Sequence, residues 1–340
     1  MSRTRSTTRL HGWLVPVLVL LVIVVVTGIF AVLNRPESYP APPVGWQTIR
    51  PPHIVLALEE QGSVIWAGGP EGLVTLDRHT GGQVVPSGGV IPDVRYVRDI
   101  CLDRHGALWI AHLAGVTRLL NGRETVFTTD EGVPSGYATA LLEDRQGNIW
   151  VGTETGVAVY DGIEWQSFAP DRWPGAAPVT VIFEDNDGVL WFGSDSVNTI
   201  GITRYDGAVF TTLSAGDGLA HNTVTDIIQA GDGSVWVSSG LGNSGGATRI
   251  HGVDVTSVTK KEGLAGDRAR ALFEDSRGRL WVTSEWDGVA ISTDAGWRLI
   301  TPRDGLAGWE VMAILEDSDG VLWLGSDNGI SRVESVDFVL

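Results

Sequence analysis

Polar and aromatic side chains gather in the segments between successive repeats of this 340-residue chain, where they could bind a ligand. Aromatic rings beside carboxylate and amide groups suit a neutral polar molecule such as a sugar or a peptide. The alternative is that they are ordinary exposed loop residues. The candidate ligand-binding residues are Arg95, Tyr96, Tyr137, Glu154, Trp173, Asp195, His221, Asn222, Arg268, Glu285, Trp286 and Trp309. Further polar residues of the same segments are Asp171, Arg172, Asp267 and Glu310.

Catalytic chemistry has fewer candidates in this sequence. The chain has seven histidines, and no pair of them has the spacing of metal ligands. No G-x-S-x-G segment presents a serine nucleophile. Only His112 and His221 are candidates for general acid–base work. We therefore predict no catalytic residue, no metal site and no cofactor, and enzymatic activity is the alternative to recognition.

Two short motifs resemble known binding loops. Segment 240–245 matches G-x-G-x-x-G, but dinucleotide binding needs a helix directly after that loop, and no helix is predicted there. Segments 185–188 and 317–320 read Asp-x-Asp-Gly, like the start of a calcium loop. A calcium loop needs twelve residues ending in a glutamate, whereas here an apolar strand follows at once. These aspartates are predicted to cap turns.

The elements that carry these loops are predicted from a tryptophan that recurs at intervals of 41–45 residues. A period of about 40–45 residues is typical of a β-propeller, with one four-stranded blade per repeat. The repeated residues are Trp66, Trp109, Trp150, Trp191, Trp236, Trp281 and Trp323. The sequence therefore predicts an all-β, seven-bladed propeller.

The third repeat shows how one blade is built. Strands are predicted at 138–143, 148–153, 156–160 and 165–168, separated by an Asp-x-x-Gly turn and an Asp-Gly hairpin. The tryptophan lies in the second strand, where its large ring fills the space between neighbouring blades. The repeated tryptophans are therefore predicted to be core residues. Predicted outer strands lie near Val84, Phe127, Phe168, Phe210, Val255 and Trp297.

Six outer strands follow the seven tryptophans, so one blade lacks its outer strand in sequence order. Segment 46–49 resembles the outer strand at 297–300, and we predict that it completes the last blade and closes the ring. The loops after the second strand are long only at 194–201 and 238–246, which makes one face of the ring irregular. Binding faces of repeat proteins often carry such insertions.

A long apolar segment precedes the repeats. Sixteen of the 21 residues in 13–33 are Leu, Ile, Val or Phe, and a helix of that length spans about 31 Å. We predict a single-pass transmembrane signal-anchor; a cleaved signal peptide is the alternative. Arginines 3, 5 and 9 keep the N-terminus inside the cytoplasmic membrane, so the propeller is extracytoplasmic. The predicted segments are a basic stub at 1–12, the anchor at 13–33, a proline-rich spacer at 34–45 and the propeller at 46–340.

The net charge limits the classes of binding partner, and the cysteine content limits disulfide formation. The net charge of −17 disfavours nucleic acid and anionic lipid, because both repel an acidic surface. The single cysteine, Cys101, cannot form a disulfide within the chain and is predicted to be a buried structural thiol. The oligomeric state is left open.

The repeat consensus itself carries a resemblance. It reads E-D-x-x-G-x-L-W-x-G-[ST]-x-x-G-[IV], then an aromatic strand and Asp-Gly-Leu, as in Glu184–Ser194 and Glu316–Ser326. It resembles the two-component regulator propeller repeat of bacterial periplasmic sensor regions, over residues 46–335. The resemblance implies extracytoplasmic sensing, often of oligosaccharides. Such sensors usually continue into an Ig-like domain, a second span and a kinase, which this sequence does not contain, so signalling would need a partner or clustering.

Three functions follow from these observations. The favoured one is a membrane-anchored recognition propeller that binds a saccharide, a peptide or a small molecule, or a membrane sensor kinase, for signal transduction. The first alternative is an extracytoplasmic lyase or hydrolase, because the streptogramin lyases have a similar repeat. The second alternative is a scaffold subunit of a membrane complex.

Overall fold

Short alternating strands separated by glycine-containing turns form seven antiparallel sheets in the computed structural model, which describes residues 41–168, 178–196 and 200–336. The seven-bladed all-β architecture is confirmed. The predicted stub at 1–12, the anchor at 13–33 and spacer residues 34–40 lie outside the described residues. Within the described ranges, no helix is both long and apolar enough to span a membrane.

The strands are numbered along the chain. The first half contains β1 (Trp46–Ile49), β2 (Ala57–Gln61), β3 (Val64–Gly69), β4 (Gly72–Asp77), β5 (Asp99–Leu102), β6 (Leu108–His112), β7 (Gly115–Leu120), β8 (Arg123–Phe127), β9 (Ala138–Glu143), β10 (Ile149–Thr153), β11 (Gly156–Tyr160) and β12 (Trp165–Ser167). The second half contains β13 (Val181–Glu184), β14 (Leu190–Gly193), β15 (Ile202–Tyr205), β16 (Phe210–Leu213), β17 (Val224–Gln229), β18 (Val235–Leu241), β19 (Ser244–His251), β20 (Asp254–Val258), β21 (Ala269–Glu274), β22 (Leu280–Ser284), β23 (Gly288–Thr293), β24 (Gly296–Ile300), β25 (Val311–Glu316), β26 (Leu322–Ser326) and β27 (Gly329–Val333). Short 3-10 helices lie at Thr129–Glu131, Ala215–Asp217, Lys260–Glu262 and Pro302–Asp304.

Blade seven draws its strands from both ends of the propeller. Its sheet has the order β1-β27-β26-β25, and Trp46 pairs with Val333 while Ile49 pairs with Ile330. Both Trp46 and Ile49 are buried. Strand β1 therefore supplies the outer strand of the last blade, at the place where the sequence pattern put it.

Blade one departs from the predicted four strands. Its sheet contains only β2, β3 and β4, and the segment near Val84 adds one bridge between Leu76 and Gln83. The Val84 amide still donates to the Thr75 carbonyl at 3.0 Å. Pro86 then removes the next donor, and two glycines with positive φ follow at 88 and 89, so the strand cannot continue.

The repeated aspartate holds the repeated tryptophan. In blade four, Asp185 Oδ1 accepts hydrogen bonds from the amides of Asp187 and Val189, both at 3.0 Å, and its Oδ2 accepts from the Trp191 indole at 2.7 Å. The same aspartate–indole bond joins Asp103 to Trp109, Asp144 to Trp150, Asp275 to Trp281 and Asp317 to Trp323. Both oxygens of Asp185 and of Asp317 accept hydrogen bonds from protein donors. The turn-capping interpretation of the Asp-x-Asp-Gly motifs therefore fits the structure better than a calcium loop.

Blade five lacks this bond. Ala230 stands at the aspartate position, and Trp236 is only half-buried, whereas the other six repeated tryptophans are buried as predicted. In blade one, Gln61 takes the role of the aspartate, because its Oε1 accepts from the Trp66 indole at 3.2 Å.

A second repeated bond joins neighbouring blades at six of the seven junctions, all within the described ranges. The glutamate before the aspartate accepts a hydrogen bond from a turn amide of the preceding blade, as Glu184 does from Arg145 at 2.8 Å. The Ser318 amide donates to Glu60 at 2.8 Å and so joins blade seven to blade one. Equivalent bonds join Arg104 to Glu143, Asn186 to Gln229, Gly231 to Glu274 and Ser276 to Glu316. We call the face formed by these turns the lower face.

The opposite, upper face is formed by the segments that join blades and by the hairpins between second and third strands. The predicted long loop at 238–246 is mostly strand, because β18 and β19 stay paired up to Leu241 and Ser244. Its glycines permit close packing: a Cβ on Gly245 would lie 2.6 Å from the Asp267 carbonyl oxygen. This hairpin therefore lies directly against the segment that precedes β21. No helix follows its G-x-G-x-x-G motif.

Candidate functional site

The inner strands surround a cavity of about 410 Å³. We call the part of it that is lined by ionisable residues the upper mouth. These residues are Arg98, Asp99, Asp195, Asp226, Arg270 and Glu310. They come from blades two, four, five, six and seven, so the site exists only when the ring is closed.

One side of the upper mouth carries a continuous ionic network. Glu285 Oε2 lies 2.5 Å from Arg268 Nη2 and 3.0 Å from Arg270 Nη2, and Arg270 Nε lies 2.9 Å from Glu310 Oε1. The carboxylate side chains are almost buried, at 12% exposure for Glu285 and 9% for Glu310. Burial raises the pKa of Glu310, while the nearby Arg270 opposes that shift. Arg268 and Arg270 both form ion pairs with Glu285, and Arg270 also pairs with Glu310.

An exposed indole extends from this network. The Trp286 Nε1 donates to Glu285 Oε1 at 3.0 Å, and the side chain is 60% exposed. The backbone of Trp286 has φ of 66°, in the left-handed region that bulky residues rarely adopt. A strained backbone and a hydrogen bond together hold the ring in one orientation on the upper face.

The opposite side of the mouth is more loosely connected. Arg98 Nη2 lies 3.7 Å from Asp195 Oδ2, beyond hydrogen-bond distance, and about a third of each side chain is exposed. The Asp195 amide donates to Thr180 Oγ1 at 3.0 Å, so the backbone of that loop is held although its carboxylate is not.

Two aspartates of the upper mouth, Asp99 and Asp226, lie on the innermost strands β5 and β17. Asp99 accepts from the amides of Ile100 and Leu141, and Asp226 from those of Ile227 and Leu272, at 2.7–2.9 Å. Each carboxylate thus caps an amide on the inner edge of the next blade. Burial raises the pKa of Asp99 to about 7 and that of Asp226 to about 6, although both accept two hydrogen bonds.

Two further groups in the channel strands have raised pKa values. Burial raises the pKa of Glu59 to about 7 and that of the Cys101 thiol to about 12. Cys101 is half-buried, rather than fully buried as predicted, and packs against the cluster that contains Trp109. Its thiol stays protonated at neutral pH, which makes it unreactive.

The raised acid pKa values predict a pH effect on stability. The ordinary pKa of an aspartate is 3.8, so between pH 3.8 and about 7 the folded protein keeps protons that the unfolded chain has already released. The free energy of unfolding therefore falls as pH rises over this range. Asp99→Asn removes one such group, and urea unfolding should show a shallower decline over that range than wild type. Asp93→Asn, at a fully solvated position (side chain 94% exposed), should keep the wild-type slope. Equal slopes for all three proteins would contradict the prediction.

The structure brings some of the sequence-predicted residues together. Arg268, Glu285 and Trp286 belong to the ionic network, which reaches the upper mouth through Arg270, and Asp195 lines the mouth beside Arg98. The Trp309 carbonyl accepts from the Gly288 amide at 3.1 Å, directly beside Glu310. Trp173 lies outside the described residues, as do Asp171 and Arg172.

Other predicted residues lie away from the ionic network. Arg95 donates to the Glu71 carbonyl and is largely exposed, and Tyr96 is 51% exposed. Glu154 is exposed, and its amide lies 3.4 Å from the carbonyl of half-buried Tyr137. Asn222 Oδ1 accepts from the Ala215 amide at 2.6 Å and so serves the local backbone.

The two candidate catalytic histidines are engaged in local bonds. His112 is buried, its Nδ1 accepts from the Ala114 amide at 3.2 Å, and its Nε2 therefore donates to Thr117 Oγ1 at 2.8 Å. Burial lowers the pKa of His112 to about 4, so the ring is neutral. His221 Nδ1 accepts from the Thr223 amide at 3.0 Å. Neither ring forms an ion pair with a carboxylate within the described residues.

Metal ligation has no support in the part of the chain that the structure describes. There, no three His, Cys, Asp or Glu side chains converge on a common point.

Sequence reasoning missed Arg98, Asp99, Asp226 and Arg270. A signal existed for the two aspartates: each lies in an innermost strand opposite a small residue, where four other blades carry Ala57, Ala140, Ala271 and Ala313. A charged residue at a position that is otherwise alanine or, in blade four, Val181 indicates a side chain that faces the cavity. Which of these side chains share one mouth depends on ring closure, which spacing alone does not reveal.

A comparison with known protein families finds the same repeat that the sequence shows. Residues 132–155, 174–196, 263–286 and 307–328 match the two component regulator propeller, which confirms the resemblance found in the sequence. No curated protein matches the chain.

Solved structures share the fold. The extracellular domain of a hybrid two component system from B. thetaiotaomicron superposes with a TM-score of 0.74 at 19% identity; the match covers 88% of this chain and 42% of that one. A catalytically inactive virginiamycin B lyase from Staphylococcus aureus with quinupristin gives a TM-score of 0.67 at 14% identity, covering 86% and 99% of the two chains. YCF48 bound to D1 peptide gives 0.62 at 13% identity, covering 88% and 100%. At these identities the likeness concerns the fold.

Proposed function

We propose that this propeller is a non-enzymatic recognition module that binds a small polar ligand, a saccharide or a peptide, at its upper mouth. The observation that carries the proposal is the exposed Trp286 ring, which a nearly buried ionic network holds in place. Such a ring offers an apolar face next to polar partners, which is the chemistry that sugars and peptides share.

The cost of this arrangement supports a role beyond folding. Removing charges from water is costly, and a well-packed apolar cluster in place of a buried ion pair is often equally stable or more stable. The Glu285 and Glu310 carboxylates are nevertheless almost buried, and both contact Arg270, whose side chain is 27% exposed. The strained φ of Trp286 adds a further cost of about 1–3 kcal/mol. The desolvation of these charges and the backbone strain of Trp286 are both explained if the arrangement serves ligand binding.

The setting of the module is part of the proposal. Residues 13–33 would anchor the chain in the cytoplasmic membrane with its N-terminus inside and the propeller outside. The matched repeats and the shared fold of a two component system's extracellular domain support this placement. A ligand signal would then reach the cytoplasm through a membrane partner such as a sensor kinase.

Trp286→Ala tests the binding site. We expect it to weaken binding of any ligand found on saccharide and peptide arrays by about tenfold or more, because the ring supplies the apolar contact. The melting temperature should change little, since the side chain is mostly exposed. Isothermal titration calorimetry measures the affinity.

The matched control is Ile163→Ala, which removes another exposed apolar side chain, 86% exposed, from the Asp-Gly hairpin between β11 and β12. It should bind like wild type. If Trp286→Ala binds array hits with unchanged affinity, the upper mouth is not the ligand site. If no array compound binds but a membrane protein co-purifies with the chain, the scaffold function replaces the proposal.

A further inference from the structure

Arg98 is the least engaged charged group of the upper mouth. Its guanidinium lines the cavity, forms no hydrogen bond within the described residues, and has Asp195 at 3.7 Å as its ion-pair partner. Arg270, by contrast, contacts Glu285 at 3.0 Å and Glu310 at 2.9 Å. The Arg98 guanidinium therefore presents all five of its N–H donors, in a planar fork, to the cavity.

We propose that Arg98 binds a carboxylate of the ligand, and that this carboxylate replaces the Asp195 carboxylate as the ion-pair partner of Arg98. This inference rests on the proposed function of the upper mouth and names the chemical class of its ligand. A guanidinium binds a carboxylate through two parallel hydrogen bonds, and that geometry is stronger than a single long ion pair. Two sources carry such a group at this size: an acidic sugar and the C-terminus of a short peptide.

The dimensions of the mouth fit a small acid. Ligand cavities commonly measure about 300–1,000 Å³, and this one measures about 410 Å³, which matches one sugar ring or a few peptide units. Arg98 lines the cavity, and Trp286 reaches the same cavity through Glu285, which contacts the lining residue Arg270. A ligand could therefore place its carboxylate on Arg98 and its apolar face on the indole.

The acidic groups around Arg98 set the conditions for binding. Asp99 is the next residue, and the groups that act on its charge are Arg98, Asp226, Glu59 and Cys101. The negative charge of a ligand carboxylate is tolerated beside Arg98 when Asp99 and Asp226 are protonated. Their raised pKa values of about 7 and about 6 permit this protonation. Binding of a carboxylate should therefore strengthen as pH falls from 8 to about 5.5, whereas a cationic ligand would show the opposite trend.

The test uses four probes and three variants of the full chain. The probes are galacturonic acid with galactose as its neutral partner, and N-acetyl-trialanine with N-acetyl-trialanine amide as its neutral partner. The variants are Arg98→Gln, Asp195→Asn and, as control, Arg123→Gln, which alters an exposed arginine on the outer strand β8 of the same blade. Affinities are measured by calorimetry at several pH values.

We expect one acidic probe to bind and its neutral partner to bind at least about tenfold more weakly, in keeping with the net worth of charged hydrogen bonds. Arg98→Gln should lose that difference, and Asp195→Asn should increase affinity several-fold because the competing carboxylate is gone. Arg123→Gln should match wild type. The acid that binds identifies the source of the carboxylate.

Other results overturn the proposal. Equal binding of acidic and neutral probes, weaker binding by Asp195→Asn, or stronger binding at higher pH would each contradict it, and so would the absence of binding by both acids. The proposed function fails separately: if Trp286→Ala weakens binding of an array hit while Arg98→Gln does not, the mouth remains the ligand site and only the carboxylate assignment is wrong.

Discussion

Deleting residues 44–50 should lower the melting temperature of the propeller by at least about 10 °C, the largest effect that we expect from any small change. The deletion removes β1, which buries Trp46 and Ile49 and pairs along its whole length with β27. Burial of two such side chains is worth about 3–6 kcal/mol, before the lost backbone bonds are counted. Differential scanning calorimetry gives the melting temperature.

The deletion also uncovers the edge of β27. An unpaired strand edge is a template for pairing with another chain, so the truncated protein should form oligomers on size-exclusion chromatography. Gln47→Ala is the control, because Gln47 lies in the same strand with an exposed side chain. A truncated protein that melts like wild type and stays monodisperse would show that the ring closes without β1.

Asp185→Ala should destabilise the protein by about 3–5 kcal/mol, the second-largest effect. The change leaves the Trp191 indole and the amides of Asp187 and Val189 without their acceptor, and Trp191 is 2% exposed, so water cannot replace it. Chemical unfolding in urea measures the loss.

Asp187→Ala is the matched control for that change, because it removes an exposed carboxylate from the same turn. We expect it to alter stability by less than about 0.5 kcal/mol. If both substitutions cost the same, the effect belongs to the turn in general, and the bond to the indole has no special weight.

The repeat could be predicted from the sequence because its chemistry is local. Asp185 and Trp191 are six residues apart, and their bond forms inside one hairpin, so the same residues recur at the same spacing in every blade that uses it. In the third repeat, the strand predicted at 156–160 is β11, Gly156–Tyr160. Blade one was the exception, because Pro86 and two glycines end its outer strand after a single bridge.

The upper mouth could be predicted only in part, because its chemistry is not local. Glu285, Arg268 and Trp286 were identified from the sequence, because charged and aromatic residues are easily recognised in loops. Arg98 and Asp195 belong to blades two and four, and their proximity follows from the curvature of the ring, which no spacing encodes. Burial of Asp99 and Asp226 likewise depends on the width of the channel.

The pairing of β1 with β27 has a mechanical consequence. The strands are antiparallel, and the Glu334 amide donates to the Gly45 carbonyl at 2.9 Å, so both ends of the propeller leave the sheet at the same corner. A force applied between residues 45 and 334 would load this bond first and then each following bond in turn. The last blade would open by peeling at low force, strand from strand, whereas shearing would require all bonds of the pair to break together.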